Sequence, residues 1–383
     1  MIILPDSLNL DISKLAQVFH SKSASYKYYW FISILQLIDK NKDYIPIREI
    51  ASSMLVNAWY PVNYCHLNLG RKDKINEVIS SLIHEFGFDP HTNKQSLLNQ
   101  LNHNNPQLTE VVMKIAAEVP FHFLSPWTGT YRNKGHHLKY AQAALDSSNN
   151  CPYILDRIYD LDIIRFNRYW LDYFLKNKSI LLDFCYFNLA SYLQNRNPEI
   201  PGILFKLEPP SVRESLKKQH DFFDEFISAQ GKVPCLYSQK LYVEPFDYDL
   251  DHFIPWTYVA HNQIWNLTPT EKSVNCSKSD KLPPLDFVSG LAQEHYDLLH
   301  FHIKYNPNNE LIDEYCNLGE PLSELIHVSE DAFKLIYQKK FKSLYESAFF
   351  LGFELWEYPE INQFYDSTHP LTKEEIKEDI LAV

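Results

Sequence analysis

Nine glycines in a chain of 383 residues set the first limit on its fold. A protein rich in tight β-turns needs glycine wherever the backbone must enter the left-handed region, so the scarcity favours a mainly helical architecture. The same chain holds 25 Tyr and 24 Phe. That is more ring surface than water tolerates, so most of it must fill cores or line grooves. The length leaves room for two or three domains with a sizeable core.

The first two hundred residues read as helices. Ser23-Ala-Ser25 precedes the run Tyr26–Leu37, which is apolar nearly all round and therefore belongs to an interior. For the same reason Tyr28-Tyr29-Trp30-Phe31 reads as core and not as a base-stacking surface. Tyr28–Ile38 is bounded by Lys27 and Asp39 and is too short to span a bilayer, so no membrane partner is expected. Amphipathic stretches recur at Lys74–Phe86, Leu108–Ala117, His137–Leu145 and Arg165–Leu189.

The Pro/Gly-rich segment Asn195–Pro210 marks the end of a helical N-terminal domain over residues 1–200. A second domain is expected over 201–290. It opens with Ser211-Val-Arg-Glu214, a capping-box sequence for a helix running to about Gln230 and stopping at Gly231. A β-rich segment follows from Lys240 to Thr268. After Pro283-Pro284 a helical region, 291–383, completes the chain, clearest over Glu324–Phe353. The fold class expected is mainly α with a small α+β insert.

The formal net charge of −12 argues against a protein that coats nucleic acid non-specifically. From Leu351 onward eight acidic residues face only Lys373 and Lys377, so this tail supplies about half of the excess and leaves room for a local basic groove. The six cysteines are scattered with no C-x-x-C pair, and no basic-then-apolar leader begins the chain. Both observations suggest a reducing cytoplasm.

The chemistry lies between Tyr248 and Asp280. Tyr248–Ile254 alternates apolar and polar residues and is rich in β-formers, which predicts a strand ended by Pro255. Ile264–Thr268 predicts a second strand. Thr268-Pro-Thr-Glu271 predicts a capped helix start with Pro269 at its first position. Asp251 and Asn275 offer hard oxygen donors suited to Mg²⁺. His252 is largely neutral yet basic near pH 7, which suits a general base. On the helix Lys272, Asn275 and Lys278 share one face at spacings of three, directing an amide ligand and two ammoniums the same way.

Asp251-His252, then Asn266, then Asn275 followed by Lys278-Ser-Asp280 is similar to the HNH (ββα-metal) endonucleases, including the HNH domain of the RNA-guided CRISPR nucleases. The separations are alike: fourteen residues from His252 to Asn266 and nine more to Asn275. The resemblance implies a Mg²⁺-dependent nuclease, with Mn²⁺ able to substitute, acting on DNA and leaving 5′-phosphate ends. It implies Asp251 and Asn275 as metal ligands and His252 as the base. Asn266 would brace the His-bearing loop, Lys278 would lie near the phosphate, and Asp249 would stand behind the ligands. The helical flanks resemble those of bacterial HNH proteins of this size, some tied to restriction or anti-phage defence. That implies a defence-system partner protein or self-association.

Two features depart from the family pattern. Many HNH proteins hold a structural zinc with C-x-x-C pairs. Here the matching positions are Cys235 with Ser238 and Cys276 with Ser279, so no structural zinc is expected, and packing by Tyr237, Tyr242, Phe246, Phe253, Trp256 and Trp265 must hold the finger. Asp251 and His252 are also strand neighbours that point to opposite faces, which calls for a twisted or bulged strand.

Elsewhere, His136-His137 lies among Arg132, Lys134 and Lys139 and reads as a solvated loop before a nucleic-acid contact. His295, His300 and His302 read as structural histidines. Two rivals to a targeted nuclease remain open: an indiscriminate DNA-degrading effector, and a non-catalytic binding subunit of a defence complex.

Overall fold

The computed structural model describes residues 3–20, 24–131, 133, 135–210, 214–238 and 242–357. The chain divides into two compact units, residues 1–211 and 212–383. The helices after residue 291 thus belong to the same unit as the finger. Most of the described residues are helical, with small antiparallel sheets between. No helix among the described residues is long and apolar enough to cross a membrane.

The first unit is built around helix α1, Tyr26–Leu37, in which every residue from Tyr28 to Leu35 is buried. A helix apolar on all sides has no face to offer water, and α2, Ile47–Asn63, packs alongside it. Two further helices frame a polar cluster described below: the single turn α3, Val119–His122, and α4, His136–Leu145.

Strands break what the sequence led us to expect as an all-helical region. β1 (Tyr44–Pro46), β2 (Tyr153–Ile158) and β3 (Leu161–Phe166) form an antiparallel sheet with β3 in the middle. The β2–β3 hairpin turns on Tyr159 and Asp160, both with left-handed φ (45° and 63°). That conformation is normally signalled by Asn or Gly, and neither is present. The stretch Arg165–Leu189 is accordingly not one helix. It begins in β3, continues as a helix over Arg168–Lys176, and restarts as α5, Lys178–Arg196.

In the second unit α6, Lys217–Gln230, ends at Gly231, whose φ of 82° only glycine adopts readily. It begins later than its capping-box sequence suggested, and residues 211–213 of that sequence lie outside the described residues. β4, Asp249–His252, pairs antiparallel with β5, Leu267–Thr270, and the short helix α7, Lys272–Lys278, follows.

The expected second strand and helix start therefore both shift. Ile264–Asn266 is a single 3₁₀ turn. Thr268-Pro269-Thr270 extends β5, and Glu271 precedes α7 without capping it. Pro269 stands opposite Leu250. A two-stranded ribbon has two outer edges, where a missing N–H is tolerated. α8, Phe287–Tyr305, and α9, Glu330–Phe350, pack on each other and support the ribbon. Most of the acidic tail lies beyond residue 357, outside the described residues.

Candidate nuclease site

β4 and α7 meet along a seam of polar side chains. Residues two apart on a strand share a face, and residues three apart on a helix do likewise. Asp249 and Asp251 are therefore opposed to Asn275 and Lys278 as two rungs. At the half-buried rung the Asn275 amide nitrogen donates to Asp249 Oδ2 at 3.3 Å. At the buried rung Lys278 Nζ donates to Asp251 Oδ1 at 3.0 Å and to the His252 carbonyl at 2.7 Å.

The second oxygen of Asp251 accepts from the Tyr237 hydroxyl at 2.6 Å. Asp251 is 3% exposed and Lys278 is fully buried. Burial pushes the Asp251 carboxyl above its ordinary range, against the pull of Lys278 and Tyr237.

Lys278 is thus placed differently from the expectation that it lies near the phosphate. Its ammonium points inward and neutralises Asp251. Lys272 stays at the surface, paired with Asp247 at 3.4 Å. The reason is local: Val274 and Lys278 are the buried positions of α7, so the face that carries Lys278 turns into the finger and not toward solvent.

The β4–β5 ladder is continuous from Asp249↔Thr270 to His252↔Leu267, with no bulge. Asp251 and His252 consequently point to opposite faces, as strand geometry requires. His252, half-buried, has its Nε2 3.1 Å from Asn262 Oδ1, and Asn262 Nδ2 donates to Glu214 at 3.3 Å. That contact orients the imidazole through its Nε2 edge.

Asn266 is fully buried. Its side-chain oxygen accepts from Ile254 N at 2.9 Å and its nitrogen donates to Ile254 O at 2.9 Å, fixing the chain two residues after His252.

Sequence reasoning assigned Tyr237 to packing and passed over Asn262 and Glu294. A polar pair, His261-Asn262, in the loop that leaves the base-bearing strand was the available signal for Asn262.

The ribbon rests on buried titratable groups. His295 bridges Leu267 O (2.8 Å) and the Tyr315 hydroxyl (2.7 Å), and burial holds its imidazole down at about 4, hence neutral. His302 is likewise a buried partner of a backbone carbonyl, Phe222 O at 2.9 Å. Thr268 Oγ1 donates to Glu294 Oε2 at 3.1 Å, whereas Glu294 Oε1 is inaccessible and lacks a partner.

Burial pushes the Glu294 carboxyl from 4.5 to about 8, opposed by the Thr268 hydrogen bond. The folded state then holds a proton that the unfolded chain loses above about pH 4.5. Stability contributed by this group falls as pH rises from there through 8. Glu294→Gln should flatten that slope and melt higher than the wild type at pH 8.5, as followed by circular dichroism.

Residues 235–284 match the model of the HNH endonuclease family, and this segment contains every residue of the seam. The match supports a nuclease. No curated protein and no solved structure matches the chain.

Proposed function

We propose that the chain is a Mg²⁺-dependent endonuclease that hydrolyses phosphodiester bonds in DNA, in restriction or anti-phage defence. The observation that carries this reading is the seam itself. Within the HNH-matched segment two carboxylates and an amide line the apposed faces of β4 and α7, and the same strand carries an oriented imidazole on its other face. These hard oxygen donors fit Mg²⁺, or Mn²⁺ in its place.

Asp251 and Asn275 would hold the ion. Asp249 takes the Asn275 amide nitrogen and so leaves the amide oxygen free to face a cation. When bound, the metal supplies positive charge to the phosphate and the departing oxygen. His252 accepts the proton of the attacking water, while Asn262 holds the ring and Asn266 holds the strand exit. Lys278 is a positioning residue in this scheme: it keeps Asp251 charged in the interior until a cation competes for Oδ1. The defence assignment rests on the resemblance of the helical flanks, which also suggests a partner protein or self-association.

The Lys278–Asp251 pair favours a second reading as well, a finger that binds nucleic acid or a protein without cutting. Supercoiled plasmid separates the two. With Mg²⁺ or Mn²⁺ the nuclease reading expects nicked and linear products that EDTA abolishes, and no conversion under any metal sinks it. Smears across unrelated plasmids would identify an indiscriminate effector, and discrete bands a site-specific enzyme. Asp249→Ala should raise the Mg²⁺ concentration for half-maximal cleavage by about 10–100-fold, the usual cost of losing a group that orients a metal ligand.

A further inference from the structure

The first unit contains a second constellation of chemistry-bearing side chains, separate from the finger. Three imidazoles converge on one carboxylate oxygen, Glu118 Oε2. His136 Nε2 and His137 Nε2 each lie 2.9 Å from it, and His122 Nε2 lies 3.3 Å away. Glu118 and His122 come from α3 and the residue before it, while His136 and His137 open α4.

One carboxylate oxygen has two lone pairs, and three imidazole nitrogens crowd it within 3.3 Å. The ligand atoms of Glu118, His136 and His137 all lie within 4.8 Å of one another. Bonds of about 2.0–2.1 Å around a tetrahedral ion put neighbouring ligand atoms roughly 3.3 Å apart. The two Glu118–histidine distances of 2.9 Å need to open by only a few tenths of an ångström to reach that spacing.

The surroundings hold the rings in place. The Tyr140 hydroxyl lies 3.4 Å from His122 Nδ1, the nitrogen on the far side of that ring. Metal-bound histidines are characteristically fixed through that second nitrogen. His137 stacks on Phe121 with centroids 4.3 Å apart, and His136 stacks on His122 at 5.4 Å. The four side chains remain 23–52% exposed, so an ion can enter from solvent.

We propose that Glu118, His136 and His137 form a binding site for a first-row transition metal, Zn²⁺ foremost, with His122 next to it. Imidazole donors prefer Zn²⁺ to Mg²⁺, so this site and the oxygen-rich seam of the finger select different ions. Glu118 immediately precedes α3 while His136 and His137 open α4, so an ion held by the three would clamp these two segments together.

The test uses the full chain, stripped with a chelator, dialysed, and titrated with Zn²⁺ against a colorimetric zinc indicator. Co²⁺ serves as a spectroscopic probe. One equivalent of Zn²⁺ is expected, together with visible Co²⁺ bands of a tetrahedral nitrogen–oxygen site and no thiolate charge transfer. The variant carrying His136→Ala and His137→Ala should lose that equivalent. Asn275→Ala, in the finger, should leave it intact.

Circular dichroism of the stripped proteins separates lost ligands from lost fold. If the double variant misfolds, Glu118→Gln, which keeps the shape and removes the charge, replaces it with the same expected loss. The proposal is overturned if the wild type retains no Zn²⁺, if a folded ligand variant keeps it, or if Mg²⁺ displaces Zn²⁺ at equal concentration.

Discussion

His252→Ala is expected to leave the fold intact and to lower the rate of plasmid cleavage by about 10²–10⁴-fold, the usual contribution of a positioned general base. The fold should survive because His252 is half-buried and its ring faces the loop at Asn262, away from the seam that binds β4 to α7. The rate should not, because His252 is the base in the proposed reaction. Asn262→Ala should lower the rate less, since it removes one restraint on the ring and not the ring itself. Cleavage in His252→Ala within about tenfold of wild type would move the finger to the binding-module reading. Unchanged melting alongside lost cleavage is what a purely structural role for His252 would not produce.

Lys278→Ala is expected to destabilise the protein by about 3–5 kcal/mol in urea unfolding, because it strands a buried carboxylate without its counter-charge. Asp251 is 3% exposed, and the Tyr237 hydroxyl alone cannot replace an ammonium. Replacing both partners with apolar residues, Asp251→Leu with Lys278→Met, should recover most of that loss, since desolvating an ion pair offsets much of its attraction. The double variant should nevertheless be inactive. A loss below about 1 kcal/mol in Lys278→Ala would mean that the pair behaves as a solvated surface bridge, contrary to its burial.

How far the sequence could be read depended on the range of the interaction involved. The helix Tyr26–Leu37 and the stop at Gly231 were legible because an unbroken apolar run and a left-handed glycine are local properties. Strand β4 was legible from alternation and Pro255. The β2–β3 hairpin was not, because its turn uses Tyr159 and Asp160 in place of the residues that normally announce one. The start of α7 was misplaced because Thr268-Pro-Thr-Glu271 satisfies a capping pattern, yet pairing with β4 holds Thr268–Thr270 extended.

In the site, residue types and spacings did not reveal how the side chains pair. The same i, i+3 spacing suits an ammonium facing a phosphate and an ammonium buried on Asp251. Only the burial of the Val274–Lys278 face distinguishes them. The cluster around Glu118 was invisible for a similar reason. His136-His137 looked like a solvated loop, and its partners lie fourteen or more residues away in the chain.

The grip of Asn266 on both polar groups of Ile254 separates the endurance of the finger from its catalysis. Because the excursion between those two residues is sutured at its base, its tip can vary in length at a modest entropic cost, about 0.6 kcal/mol per doubling. Any such change would nonetheless carry Asn262 out of register with the imidazole. Related fingers with altered tips would stay folded while losing or retuning the proton acceptor, a route by which a cutting module could drift into a merely binding one.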